Sequence, residues 1–187
     1  MPRALAILSP LLLSLACAHA SGGVRGEEVL ERGGELADVR AERAKVTVTA
    51  DTITVWGLTE VPEGSRMQAA FAGVDAITRS ELLKAVEVRV AEVVTDVDST
   101  DPNRRSITVE TFEAVDGVLA RGGPLPHGWA RIRRGDAVVI RLWARLEVPR
   151  AGLETAVRSL LQSRGKTYQP SLLDGLTLPA GTDGAPP

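Results

Sequence analysis

One cysteine, two histidines and few aromatic residues (three tryptophans, two phenylalanines, one tyrosine) set the first limits on this chain. A single thiol cannot close an internal disulfide. Two histidines, one of them near the amino terminus at His19, cannot with that thiol build a histidine- and cysteine-rich metal centre. So few aromatics offer no stacking platform for bases, and a formal net charge of −2 gives no electrostatic reason to bind nucleic acid. No apolar run reaches the ~20 residues that a membrane-spanning helix needs.

Catalytic signatures are also missing. No serine sits in a G-x-S-x-G elbow, and no phosphate-cradling G-x-x-x-x-G-K-[ST] loop occurs. His127 stands near Trp129 with no evident orienting group beside it in the sequence. Asp96, Asp98 and Asp101 suggest a calcium loop, but a loop started at Asp96 has Asp101 and Ile107 where glycine and a bidentate acid are required. Arg134-Gly135-Asp136 spells an adhesion tripeptide and reads more simply as turn chemistry. The expectation is a chain that is not an enzyme and carries no cofactor or metal.

What is present is concentrated at the amino terminus. Arg3, an apolar stretch from Ala4 to Leu15 broken only by Ser9, Pro10 and Ser14, and small residues beyond it have the layout of a secretory signal. Cys17 follows Ala16, a small residue before a thiol that can accept a diacylglyceryl group, with Ser14 in the place where the usual lipoprotein signal prefers leucine. Residues 1–16 are thus expected to be a lipoprotein signal peptide and Cys17 the lipidation site. The competing cut, after Ala18-His19-Ala20, would release a soluble periplasmic domain starting at Ser21, expected to bind a small ligand between a helix at 65–94 and a sheet. Acylation gives an unpaired thiol in an oxidising compartment a use. Ala18 rather than an acid behind the cysteine points to the outer membrane, by the sorting rule of proteins that such a signal resembles.

The remaining pattern predicts alternating strand and helix. Residues 17–44, with Ser21-Gly22-Gly23, a charged stretch and Gly33-Gly34, read as a flexible tether. Val46 to Gly57 is β-branched and alternating, with a phase slip at Asp51-Thr52 that implies a bulge or a turn. Ser65-Arg66-Met67-Gln68 has the form of a capping box, and Met67, Phe71, Val74, Ile77, Leu82, Leu83, Val86 and Val90 predict a long helix over 65–94. Asp101-Pro102 opens a second helix to about 120 on Ile107, Thr111, Ala114 and Val118, although 106–111 also alternates as a strand would. Two strands, 129–132 and 137–148, flank a turn at 133–136, and a short helix on Leu153, Val157, Leu160 and Leu161 ends at Gly165. The domain is expected over 45–165, followed by a disordered tail at 166–187.

In the second of those strands Val138, Ile140, Leu142, Ala144, Leu146 and Val148 share one face, and Arg141, Trp143, Arg145 and Glu147 the other. A tryptophan between two arginines on a wet face marks a candidate interaction surface, Arg141, Trp143 and Arg145. If a helix covers that face, Trp143 is ordinary core and the arginine stems lie across it.

Val55-Trp56-Gly57, Ala69-Ala70 with Ala72 and Ala76, Glu81-Leu82-Leu83, Trp129, Gly135-Asp136 and Ala137 to Leu142 together resemble the twenty-kilodalton envelope lipoprotein family and its flagellar lipoprotein relatives. The likeness spans about 45–150; the Pro124–Pro126 break and the Arg131, Arg133, Arg134 cluster depart from it. The resemblance implies an α+β domain, with an antiparallel sheet packed against a long helix and one or two shorter helices. It also implies a structural or protein-interaction role in the envelope, with a protein partner or further copies of the chain, and membrane attachment through Cys17.

Overall fold

The β-branched and alternating segments build one five-stranded antiparallel sheet, and the segments of helical periodicity lie on one side of it. The computed structural model describes residues 26–39, 43–94, 104–120 and 122–178. Cys17, the signal segment, the acids at 96, 98 and 101, and the Asp101-Pro102 cap lie outside the described residues. In chain order the elements are β1 (Glu27–Gly33), β2 (Lys45–Val48), β3 (Thr52–Pro62), α1 (Met67–Val94), α2 (Arg104–Leu119), β4 (His127–Arg134), β5 (Ala137–Pro149), α3 (Arg150–Ser163) and α4 (Ser171–Asp174). The strand order is β1-β4-β5-β3-β2, with every neighbouring pair antiparallel. The α+β class is therefore the observed one.

The phase slip at Asp51-Thr52 is a turn between β2 and β3, closed by Thr49 N–H to the Thr52 carbonyl at 2.9 Å. Between β4 and β5 the turn is Gly135-Asp136, where Gly135 takes a φ of 58° that favours glycine. Burial on β5 follows the alternation, so Leu142, Ala144, Leu146 and Val148 enter the main core with Ile53 and Val55 of β3. At Gly57 sheet and helix approach closely, since a Cβ there would fall 2.9 Å from the Thr78 Cα of α1.

Helix α1 contributes Val74, Leu82, Ala85, Val86 and Val90 to that core, all fully buried. Ser65 does not act as the expected cap; its hydroxyl donates back to the Pro62 carbonyl at 2.7 Å and closes the turn leaving β3. Residues 104–119 are helix, not strand, because Ile107, Thr111, Val115 and Leu119 recur every four residues and are all buried. This helix packs on α1 and α3 rather than on the sheet, making it the outermost layer. Helix α3 buries Leu153, Val157, Leu160 and Leu161, as their spacing predicts. It ends in a Schellman arrangement, with Lys166 N–H on the Leu161 carbonyl, Gly165 N–H on the Gln162 carbonyl and Gly165 at φ 68°.

Two expectations are corrected. Residues 27–33, expected within the tether, form edge strand β1 paired with β4, because Glu27 and Glu28 meet Arg134 and Arg133 across the ladder. The described part of the tail, residues 166–178, is folded onto the domain: Leu172, Leu173 and Leu176 are buried in the main core. Arg150 clasps this segment, donating to the Pro170 carbonyl at 3.2 Å and pairing with Asp174 at 2.7 Å, while also reaching Glu154 and the Thr49 carbonyl. Leu173→Ala should therefore lower unfolding free energy by about 2–5 kcal/mol in chemical denaturation, as for a buried leucine. An unchanged midpoint would mean that the segment contributes nothing to the fold.

Candidate functional site

The sheet face away from the helices carries the residues that the sequence singled out. Register places Gly128, Trp143 and Leu58 in one cross-strand row, Lys45, Trp56 and Arg145 in another, and Glu60 beside Arg141. The chain from Gly34 to Val39 turns over this face after β1. Leu36 inserts against Ala130, Ile132 and Trp143, with Val39, Trp56, Leu58 and Val139 around them.

Trp143 is only 3% exposed, which corrects the expectation of a solvent-facing tryptophan. Its indole N–H donates to the Leu36 carbonyl at 3.2 Å, and Leu36 N–H donates to the His127 carbonyl at 2.9 Å. Glycine at 128 is required beneath the ring, since a Cβ there would come within 2.2 Å of the indole nitrogen. Trp143 is thus buried, as the alternative had it, but no helix covers it: the cover is a strap from the amino-terminal segment.

Arg141 is likewise engaged. Its Nε donates to Glu60 at 2.8 Å and its Nη2 to Glu27 at 3.1 Å, while Arg134 donates to Glu27 at 2.7 Å and to both oxygens of Glu60 at 2.7 Å. Two arginines and two glutamates from four strands thus form a closed ring of ion pairs. Burial, the largest single influence on either glutamate, pushes its carboxyl up; the two guanidiniums together outweigh it and hold both below the usual carboxylate range. Glu60, foremost, holds the Arg134 guanidinium above its ordinary value. Arg133 pairs with Glu28 at 2.8 Å and Arg131 pairs with Glu63, so the basic cluster at 131–134 is matched by acids of β1 and the β3 turn.

Arg145 is the remaining member of the expected surface. Its guanidinium carbon lies 5.8 Å from the Trp56 ring centre and Lys45 Nζ lies 5.9 Å from it, so a half-buried indole sits between two cations. Arg145 Nε is 3.3 Å from Glu147 without hydrogen-bond alignment. The structure therefore brings Arg141, Trp143 and Arg145 onto one face, but separates them into an ion-pair ring, a covered indole and a cation–aromatic row. It does not join them into one open patch.

Two features escaped sequence reasoning. His127 has an orienting group after all: its Nε2 is 2.6 Å from Asp75 Oδ1 of α1, with the Phe71 ring 4.8 Å away. The pair lies 52 residues apart in sequence, so only the folded chain, in which α1 covers the sheet, reveals it. The contact orients the imidazole towards α1; among the described residues no group of three histidine, cysteine or acidic side chains is placed to hold a metal ion. The second feature is apolar: among the described residues Val88, Val109 and Phe112, on adjacent helices, are 45%, 51% and 52% exposed. Between α2 and α3 runs an open groove of about 400 Å³ lined by Glu110, Glu113, Ala114, Ala156, Ser159, Leu160 and Ser163. Between α1 and the sheet, where a released periplasmic domain was expected to bind a ligand, Ile53, Val55, Val74, Leu82 and Val86 have no exposure.

No family model, curated protein or solved structure matches the chain.

The ring of ion pairs gives a signed pH dependence. Because Glu27 and Glu60 ionise more readily folded than unfolded, their contribution is complete above the ordinary value of 4.5 and is lost as pH falls through the lower folded values. Glu60→Gln should cost roughly 1–3 kcal/mol at pH 7, and the gap to the parent should close on acidification. Denaturation midpoints from pH 7 to pH 3 measure this, and parallel curves would count against it. On the covered side, Leu36→Ala should cost about 2–5 kcal/mol and raise acrylamide quenching of tryptophan emission as the strap loosens over Trp143.

Proposed function

We propose that this chain is a bacterial envelope lipoprotein, held at the outer membrane by acylated Cys17, whose α+β domain has a structural or protein-contact role and performs no catalysis. The observation that carries the reading is the setting of Cys17: the chain's sole thiol, behind an apolar segment with a basic start and directly after a small residue. No helix among the described residues is long and apolar enough to cross a membrane, so a lipid would supply the attachment.

The fold adds a distance to this reading. Strand β1 begins at Glu27, so the linker from Cys17 is far shorter than the tether to residue 44 that the sequence suggested. Ten residues extend at most about 35 Å, which would hold the domain close to the lipid surface. One acyl chain gives marginal attachment, whereas a lipoprotein's several chains hold firmly.

Cys17→Ser is the decisive variant. The parent should partition into the membrane fraction and incorporate labelled palmitate, and the variant should do neither. A mature amino terminus at Ser21, read by mass spectrometry of the parent, would replace this reading with a released periplasmic domain.

A further inference from the structure

We infer that the pocket between the carboxyl-terminal end of α1 and the segment leading into α4 binds a free α-amino acid in its zwitterionic form. The inference goes beyond the contact role proposed above, concerns a part of the molecule remote in sequence from Cys17 and does not depend on lipidation.

The pocket forms because two stretches of chain present polar side chains to the same space. Arg89, Glu92 and Val93 are spaced i, i+3 and i+4 on α1 and so share one helix face. Opposite them, Thr167, Gln169 and Ser171 alternate along the chain with Tyr168, which packs against the main core, and Pro170. With Leu172 these residues line a cavity of about 210 Å³. That is the liquid volume of about seven waters and lies below the range of sites for drug-sized ligands, so the occupant is a small molecule of roughly ten non-hydrogen atoms or fewer.

Arg89 is held in place before any ligand arrives. Its Nε donates to the Leu172 carbonyl at 3.4 Å and its Nη1 to Glu92 at 2.6 Å. Its Nη2 lies against Gly175, where a Cβ would fall 2.0 Å from it. Gly175 has a φ of −90°, which any residue adopts, so room for the guanidinium rather than backbone freedom accounts for this glycine. The two bonds leave most of the five N–H donors of a guanidinium unused. Among the described residues the side chains of Thr167, Gln169 and Ser171 are not spent on hydrogen bonds either.

Charge decides the class of ligand. The pocket wall carries one cation and one carboxylate 2.6 Å apart, with two hydroxyls and a carboxamide beside them. A phosphate or a dicarboxylate would meet the Glu92 carboxylate at close range, and a diamine would meet the Arg89 guanidinium. An α-amino acid carries its opposite charges side by side on one carbon, as the wall carries the complementary pair. In the proposed complex its carboxylate takes spare donors of Arg89 and the hydroxyls of Thr167 and Ser171. Its ammonium takes Glu92, which at 54% exposure has lone pairs to spare, and the Gln169 carboxamide oxygen. Val93 and Leu172 offer a short aliphatic side chain an apolar contact.

Isothermal titration of the Cys17→Ser protein with L-alanine, L-valine and L-leucine tests the inference. At least one should bind saturably, one per chain, with a dissociation constant of about 1 mM or tighter. The N-acetyl and methyl-ester derivatives of that amino acid each remove one charge and should bind about tenfold more weakly or worse. Arg89→Gln and Glu92→Gln should each weaken binding of the free amino acid about tenfold, and Glu92→Gln should abolish discrimination against the N-acetyl form. Because Arg89 also clips the Leu172 carbonyl, thermal unfolding establishes which variants keep the fold, and Glu92→Gln, on an exposed side chain, carries the test if Arg89→Gln does not. Failure of all three amino acids to bind, a derivative that binds the parent as tightly as the free amino acid, or binding indifferent to Glu92→Gln in well-folded protein would each overturn the inference. Serine replaces Cys17 throughout, so the anchoring proposal can fail while this one stands, and the reverse.

Discussion

The ladder between β3 and β5 is the interaction on which the rest of the molecule depends. It runs from Thr52 opposite Pro149 to Pro62 opposite Val139, joining two segments that are separated in sequence by all of α1, α2 and β4. Until it forms, α1 has no sheet to cover and α2 has no α1 and α3 to rest on. Such non-local pairing carries its loop-closure cost before any of its contacts reward it, so the ladder is also the natural place for the folding barrier. The row of fully buried residues along it, Ile53 and Val55 with Leu142 and Ala144, shows where the offsetting burial lies.

The two faces of that sheet are finished by different physics. On the helix face, apolar side chains interlock and one glycine, Gly57, lets the backbone of α1 come close. On the other face a smaller apolar cluster is sealed by Leu36, and the end nearest the β4–β5 turn is held by charge. Ion pairs on a surface usually contribute little. Here four partners saturate one another, and the two glutamates and Arg141 keep 11–16% of their side-chain exposure, which limits screening by solvent. The charges also specify which strand pairs with β4, since Glu27 and Glu28 face Arg134 and Arg133 in a register that a slip would ruin.

The legible parts of this fold were those whose signal is local. The two faces of β5, the four buried positions of α3 and the turn at Gly135-Asp136 could be read because each rests on spacing within a few residues. Strand β1 could not: Glu-Glu-Val-Leu-Glu-Arg-Gly is charged and lacks clean alternation, and what makes it a strand is a pair of arginines about a hundred residues later. The same holds for Trp143, whose cover comes from Leu36, and for α4, a short helix in a Gly- and Pro-containing stretch recruited by Arg150 and by the core beneath Leu173. Of the proposed sites, Cys17 is a statement about processing and is written entirely in local sequence. The separation of Arg141, Trp143 and Arg145 into three environments is tertiary, and alternation alone could assign only their shared face.

The position of Glu27 opposite Arg134 fixes where the chain enters the domain. It enters beside the β4–β5 hairpin tip, at the end of the sheet opposite the Pro124–Pro126 approach to β4. An attachment made upstream of Gly26 therefore reaches the body at its hairpin-tip end, with the other end of the sheet distal to it. A pull along that line runs parallel to β1 and would load its pairs with β4 in shear. The first bonds to bear the load would be those between the Glu27 and Glu28 carboxylates and their arginines.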